Sequence, residues 1–133
     1  MNPDVPPPDD VTEDWWAATR EHRLVLQTCR ACGHVQHPPR AVCVGCSADR
    51  LDLVEASGEA AVDTWTVVHR APRPEVAVPY TIARVRLVEG PVLLTVIDAP
   101  EEPVLGAPVR VAWFDLPDGR ALPIFRPVPE REA

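Results

Sequence analysis

The chain has no lysine: all thirteen of its basic residues are arginine. No side-chain amine is therefore available for an imine, and guanidinium stays protonated and is no amine nucleophile. Its planar fork does suit phosphate and carboxylate groups. Arginine-only usage accompanies abundant alanine, valine and proline, so genomic base composition accounts for it equally well. Serine is almost missing. Ser47 and Ser57 are its two occurrences, neither lies in a G-x-S-x-G elbow, and serine-based acyl transfer has no support. No G-x-G-x-x-G or G-x-x-x-x-G-K-[ST] loop occurs, which leaves dinucleotide and P-loop chemistry unsupported.

Long apolar runs are also lacking. Val92-Leu93-Leu94, with Val96-Ile97 after one threonine, is too short to span a bilayer, so no membrane role is expected. A basic excess is lacking too. The net charge of −7 works against nucleic acid, a ligand bound chiefly by neutralising its phosphates, although a local arginine patch would still permit it. The first ten residues are acidic and proline-rich, with neither a basic n-region nor an apolar h-region. Nothing in them directs export, and a cytoplasmic protein is expected.

All four cysteines stand in two C-x-x-C knuckles, Cys29–Cys32 and Cys43–Cys46, ten residues apart. A two-residue gap lets each knuckle aim two thiolates at one ion, and two knuckles close a tetrahedral all-thiolate zinc site with no open position. One structural Zn2+ per chain is expected, contributing on the order of 10–16 kcal/mol to folding. Redox knuckles and disulfides are the competing readings, and they lack the βαβ pattern or the oxidising compartment they need. His34 and His37 lie between the knuckles, where four cysteines leave them no vacancy.

At 133 residues and 46% hydrophobic, the chain can bury one modest core beside a metal-stapled module. Asp10 and Glu13 have capping-box spacing, predicting a helix from Thr12 to about His22 with Val11, Trp15, Ala18 and His22 on one face. Trp15 and Trp16 on this short helix need a surface, either the body of the same subunit or a partner protein. Leu24–Gln27 and Leu51–Val54 read as strands flanking the knuckles. Five further strands are expected at 62–68, 80–88, 92–98, 109–115 and 122–125, enough for a small barrel. In the second of these, Arg84 and Arg86 alternate with Ala83, Val85 and Leu87, marking one wet face. The third is apolar on both faces and should be central. Glu89-Gly90-Pro91 predicts a tight hairpin between them.

Between strands, 69–79 is a long loop stiffened by Pro72, Pro74 and Pro79. His69, Arg70 and Arg73 on it are candidates to meet a phosphate, a thioester oxygen or a partner's carboxylate; an ordinary solvated turn reads the same way. Tyr80, the single tyrosine, follows as a strand residue.

Taken in order, Asp14-Trp15-Trp16, Arg23-Leu24-Val25-Leu26-Gln27, Cys29-x-x-Cys32-Gly33-His34 and Gln36-His37-Pro38-Pro39-Arg40 form a specific pattern. It continues through Thr64-Trp65-Thr66-Val67-Val68-His69-Arg70-Ala71-Pro72, Val78-Pro79-Tyr80, Gly106-Ala107-Pro108-Val109-Arg110-Val111 and Leu122-Pro123-Ile124-Phe125-Arg126-Pro127. Over nearly the whole chain this resembles the zinc-ribbon/OB-fold acyl-CoA-associated family, once filed as a domain of unknown function. The resemblance implies a mainly β protein with a short N-terminal helical segment, a rubredoxin-like zinc ribbon and a C-terminal five-stranded OB-fold barrel. The expected division is a flexible leader at 1–10, helix at 11–23, ribbon at 24–56, OB fold at 57–128 and tail at 129–133.

The resemblance also implies a partner, a thiolase-like enzyme of lipid-transfer-protein type, in an assembly of two plus two subunits. Such complexes act on acyl-CoA, in ketoacyl condensation or in retro-aldol cleavage of a β-hydroxyacyl-CoA during steroid side-chain degradation. The partner would carry the chemistry, this chain having no catalytic residue of its own. In that setting His69, Arg70, Arg73 and Tyr80 are the CoA or substrate-channel candidates, and Trp15 and Trp16 the partner-interface candidates. The competing functions are a single-stranded nucleic-acid binder and an accessory subunit of a ketoacyl-CoA thiolase or acyltransferase.

Overall fold

The computed structural model describes residues 4–129. The first secondary element, α1 (Glu13–Thr19), is shorter at both ends than its apolar spacing predicts. Its N-cap is Thr12, which makes no side-chain cap bond, and the turn before it is closed by Asp9, not Asp10: the Asp9 Oδ1 accepts from the N–H groups of Val11 and Thr12 and from the Thr12 hydroxyl. These bonds to the charged form hold the Asp9 carboxyl below its usual range, the Thr12 N–H contributing most. At its end, His22 takes φ +55° while the N–H groups of His22 and Arg23 reach back to the carbonyls of Thr19 and Ala18. This paired closure stops the helix before His22. The buried face is Trp15, Trp16, Ala18 and Thr19, and Val11 stands exposed.

Strand β1 (Val25–Cys29) is central in a three-stranded sheet, with β2 (Val35–Gln36) on one side and β3 (Leu51–Glu55) on the other, both antiparallel. The remaining strands, β4 (Glu59–Val68), β5 (Tyr80–Leu87), β6 (Val92–Ile97), β7 (Pro108–Asp115) and β8 (Ala121–Pro127), close a barrel in the order β4-β5-β6-β8-β7. All neighbours are antiparallel except β6 and β8, which run parallel and share the single aligned pair Ile97–Phe125. A five-stranded barrel with this one parallel seam has OB-fold topology.

Side-chain alternation on β5 follows the expected pattern: Ala83, Val85 and Leu87 are buried, and Arg84 and Arg86 point to solvent. The hairpin after it turns through Gly90 at φ +118°, a conformation that favours glycine. Strand β6 lies between β5 and β8, but only its inner row is buried. Leu94 faces outward with 73% of its surface exposed, because a barrel this small is covered on the inside alone.

Barrel and helix share one core. Phe125, Val85, Leu87 and Ala83 fill the barrel, and Trp15, Trp16 and Leu24 to Leu26 continue the same cluster from the ribbon side. The segment expected as a flexible leader is attached over its described part: Val5 packs on the core, Asp4 pairs with Arg73, and the Pro6 carbonyl accepts from Arg120. Of the expected tail, 130–133 lie outside the described residues.

Candidate metal centre and barrel cavity

The two knuckles are local copies of one turn. Gly33 N–H donates to the Cys29 carbonyl and Ser47 N–H to the Cys43 carbonyl, each at 2.8 Å, and each donor has positive φ, +79° and +66°. Each turn places two sulfurs on the same side, so the four converge. All four Sγ atoms lie within 4.8 Å of one another, with Cys29–Cys46 and Cys32–Cys43 at 3.7 Å. Zinc–sulfur bonds of ~2.3 Å around a tetrahedron require sulfur–sulfur edges of about 3.8 Å, so this donor set fits Zn2+.

Crowding the sulfurs favours a cation among them. The Cys32 N–H lowers the Cys29 thiol to about 7, whereas the Cys32 thiol, although helped by the His34 N–H, is pushed up to about 12 by its neighbouring sulfurs. Four thiolates at these distances repel unless one ion sits among them. With four protein ligands the site has no place for substrate, and its role is to hold the ribbon together.

Two buried glutamines fasten the stretch between the knuckles. Gln27 accepts from Arg40 N–H and donates to the Arg40 carbonyl; Gln36 donates to Gln27 and to the Val42 carbonyl and accepts from Val44 N–H. Nothing in the local sequence pattern marks these amides. His37 follows Gln36 and is mostly buried, its ring 5.6 Å from that of Trp15. Burial pushes its imidazole down to about 4, and its Nδ1 has no hydrogen-bond partner among the described residues.

On the barrel, His69 and Tyr80 come together at the rim of a cavity of about 570 Å³. Arg70 is exposed and does not line it; Arg73 is turned toward Asp4 and Glu75. The sequence-based group of four is thus split. The cavity is completed by residues without a local motif to flag them: Asp98, Glu101 and Glu102 from the β6–β7 connection, Trp113 and Phe114 from β7, and Arg126 from β8. Arg126 is held by Asp98 at 2.9 Å. Trp113 is stacked on His22, rings 5.4 Å apart and nearly parallel, while His22 Nε2 meets Asp115 at 2.6 Å. Tyr80 also lines a second, largely apolar groove of about 350 Å³ beside Leu94, Pro123 and Trp15.

Trp15 and Trp16 are folded into the subunit rather than presented at its surface. Each is 8% exposed, they pack edge to face with centroids 4.9 Å apart, and the Trp15 indole donates to the Val25 carbonyl. Both pack on the body of the same subunit.

Residues 16–52 match the family described as the ChsH2 rubredoxin-like zinc ribbon domain, and residues 53–114 match the ChsH2 C-terminal OB-fold domain. The chain belongs to this ChsH2 zinc-ribbon/OB-fold family. The ribbon match takes in all four cysteines, and the OB-fold match takes in β4 to β6 and most of β7. Among curated proteins, the chain is 39% identical over 122 residues to a probable enoyl-CoA hydratase alpha subunit of Thermomonospora curvata, covering 90% of this chain and 38% of that one. It is 34% identical over 110 residues to the 3-oxo-4,17-pregnadiene-20-carboxyl-CoA hydratase alpha subunit of Mycobacterium tuberculosis, covering 80% and 35%. The chain thus spans well under half the length of these two relatives. Among solved structures it resembles a chain of the "Ltp2-ChsH2(DUF35) aldolase", with a TM-score of 0.83 and 36% identity over 92% of this chain and 98% of the other.

Proposed function

We propose that the chain is a non-catalytic zinc-ribbon/OB-fold subunit of an acyl-CoA-processing complex, joined to a thiolase-like enzyme of lipid-transfer-protein type. The observation that carries this reading is the end-to-end likeness to a chain of the Ltp2-ChsH2 aldolase. Both hydratase relatives are called alpha subunits, and both have acyl-CoA chemistry in their names, which supports the substrate class. The steroid named in one of them supports side-chain degradation as the setting. The reaction is then retro-aldol cleavage of a β-hydroxyacyl-CoA, in an assembly of two plus two subunits.

The side chains agree with an accessory role. All four thiols converge on the metal site, no lysine exists for an imine, and a closed metal site has no position for a carbonyl. The partner must supply the acid and base. Co-expression with a thiolase-like protein, purification on one tag and light scattering test the reading. A stoichiometric complex that cleaves β-hydroxyacyl-CoA is the expected result. A chain that stays alone beside its partner overturns it, and a complex that condenses ketoacyl-CoA instead moves the reading to thiolase chemistry.

A further inference from the structure

The barrel cavity is the wrong sign for CoA. Three carboxylates, Asp98, Glu101 and Glu102, line it against one guanidinium, Arg126, and that one is already bound to Asp98. His69 aside, the lining carries a net charge of −2, three acids against one base. Phosphate groups are repelled from such a site, whereas an organic cation is drawn in. No cation among the described residues pairs with Glu101 or Glu102.

The cavity is also aromatic. Tyr80, Trp113 and Phe114 form part of its wall, and Trp113 is fixed in place by its stack on His22. Carboxylates beside aromatic rings match a guanidinium twice over, because its flat face stacks on rings and its edge forks to oxygens. An ammonium group matches only as a point charge. Just beyond Glu102 on the same connection, Val104 and Leu105 are 70% and 65% exposed. Glu101 and Glu102 are exposed, so a docking partner would desolvate them beside the aromatic rings, which is the arrangement of an interface anchor point.

We propose that this cavity is a socket for an arginine side chain of a partner protein, with Glu101 and Glu102 as its acceptors and Trp113 and Tyr80 as its stacking walls. The inference rests on the accessory-subunit reading for the source of the arginine.

The test needs no partner. The isolated chain is titrated with acetyl-Gly-Arg-Gly-amide and with its neutral citrulline counterpart, following the indole N–H resonance of Trp113, assigned with Trp113→Phe. Saturable movement with the arginine peptide is expected, with the citrulline peptide about tenfold weaker or worse. Glu101→Gln/Glu102→Gln should weaken arginine binding about tenfold, and the same charge change at Asp10→Asn/Asp49→Asn should leave it within about twofold. Zinc content and thermal midpoint confirm that both variants fold. Equal binding of the two peptides, an immobile Trp113 resonance, or an unaffected Glu101/Glu102 variant each overturns the socket. A complex that forms while the titration fails counts against the socket alone; a titration that succeeds while no complex forms counts against the accessory-subunit reading alone.

Discussion

The Arg120 guanidinium lies 4.5 Å from the centre of the Trp16 ring, although Arg120 is only 6% exposed. It is held there by Asp118 at 2.7 Å and by the Pro6 carbonyl at 2.7 Å, so one side chain joins the β7–β8 turn, the helix and the N-terminal segment. Arg120→Lys keeps the charge but cannot stack and fork together. It should lower stability by about 1–3 kcal/mol, and Arg120→Ala by more, because the Asp118 carboxylate and Pro6 carbonyl lose their partner. Urea unfolding of the zinc-loaded chain measures both; equal midpoints for wild type and Arg120→Lys would show the stack to be idle.

Cys29→Ser and Cys46→Ser each leave three thiolates. Zinc per chain should drop below stoichiometric, and solubility should fall with it, since metal binding supplies on the order of 10 kcal/mol of folding free energy. Cys29 is buried and Cys46 exposed, so the Cys29 variant should be the poorer of the two. Metal analysis after gel filtration reads the effect, and full zinc in either variant would contradict a four-thiolate site.

Gly58 joins ribbon to barrel at φ +83°, and a Cβ there would lie 2.4 Å from Val111 Cγ1. Gly58→Ala should cost about 2–4 kcal/mol from strain and overlap together. Adding Val111→Ala should recover the overlap part and leave the backbone part, giving a coupling of at least ~0.5 kcal/mol in a double-mutant cycle. Strict additivity would show that the overlap does not exist in solution.

His37 titrates near 4 in the folded chain and near its ordinary 6.5 when unfolded. Between those values the unfolded state binds more protons, so this contribution is complete above pH ~6.5 and is lost as pH falls toward 4. The full amount is about 3 kcal/mol, and about 2 kcal/mol of it should vanish between pH 7 and pH 5. His37→Phe keeps a ring against Trp15 and removes the proton. The difference between wild type and variant, which cancels any pH effect common to both, should show that slope; parallel curves would mean that the imidazole is hydrated.

The metal site was legible from Cys29, Cys32, Cys43 and Cys46 because thiolate spacing encodes the geometry directly. Alternation of Arg84 and Arg86 with Ala83, Val85 and Leu87 likewise revealed a strand and its wet face. The order β4-β5-β6-β8-β7 has no local signature, and OB topology was reachable through resemblance to a family. The cavity stayed hidden for a similar reason: His69, Glu101, Trp113 and Arg126 are far apart in the chain, and closing the barrel is what assembles them. The turn of Arg73 away from the cavity was equally out of reach, because its countercharge, Asp4, comes from a segment with no periodic pattern to suggest that it packs. That Asp9 and not Asp10 closes the turn before the helix is likewise unmarked, because side-chain spacing alone does not distinguish adjacent aspartates.

The paired amides of Gln27 and Gln36 bind the stretch from Arg40 to Val44 without using the metal. A chelator therefore meets a loop that four hydrogen bonds already latch. The thiolates hold the ion; the two glutamines hold the loop that carries Cys43.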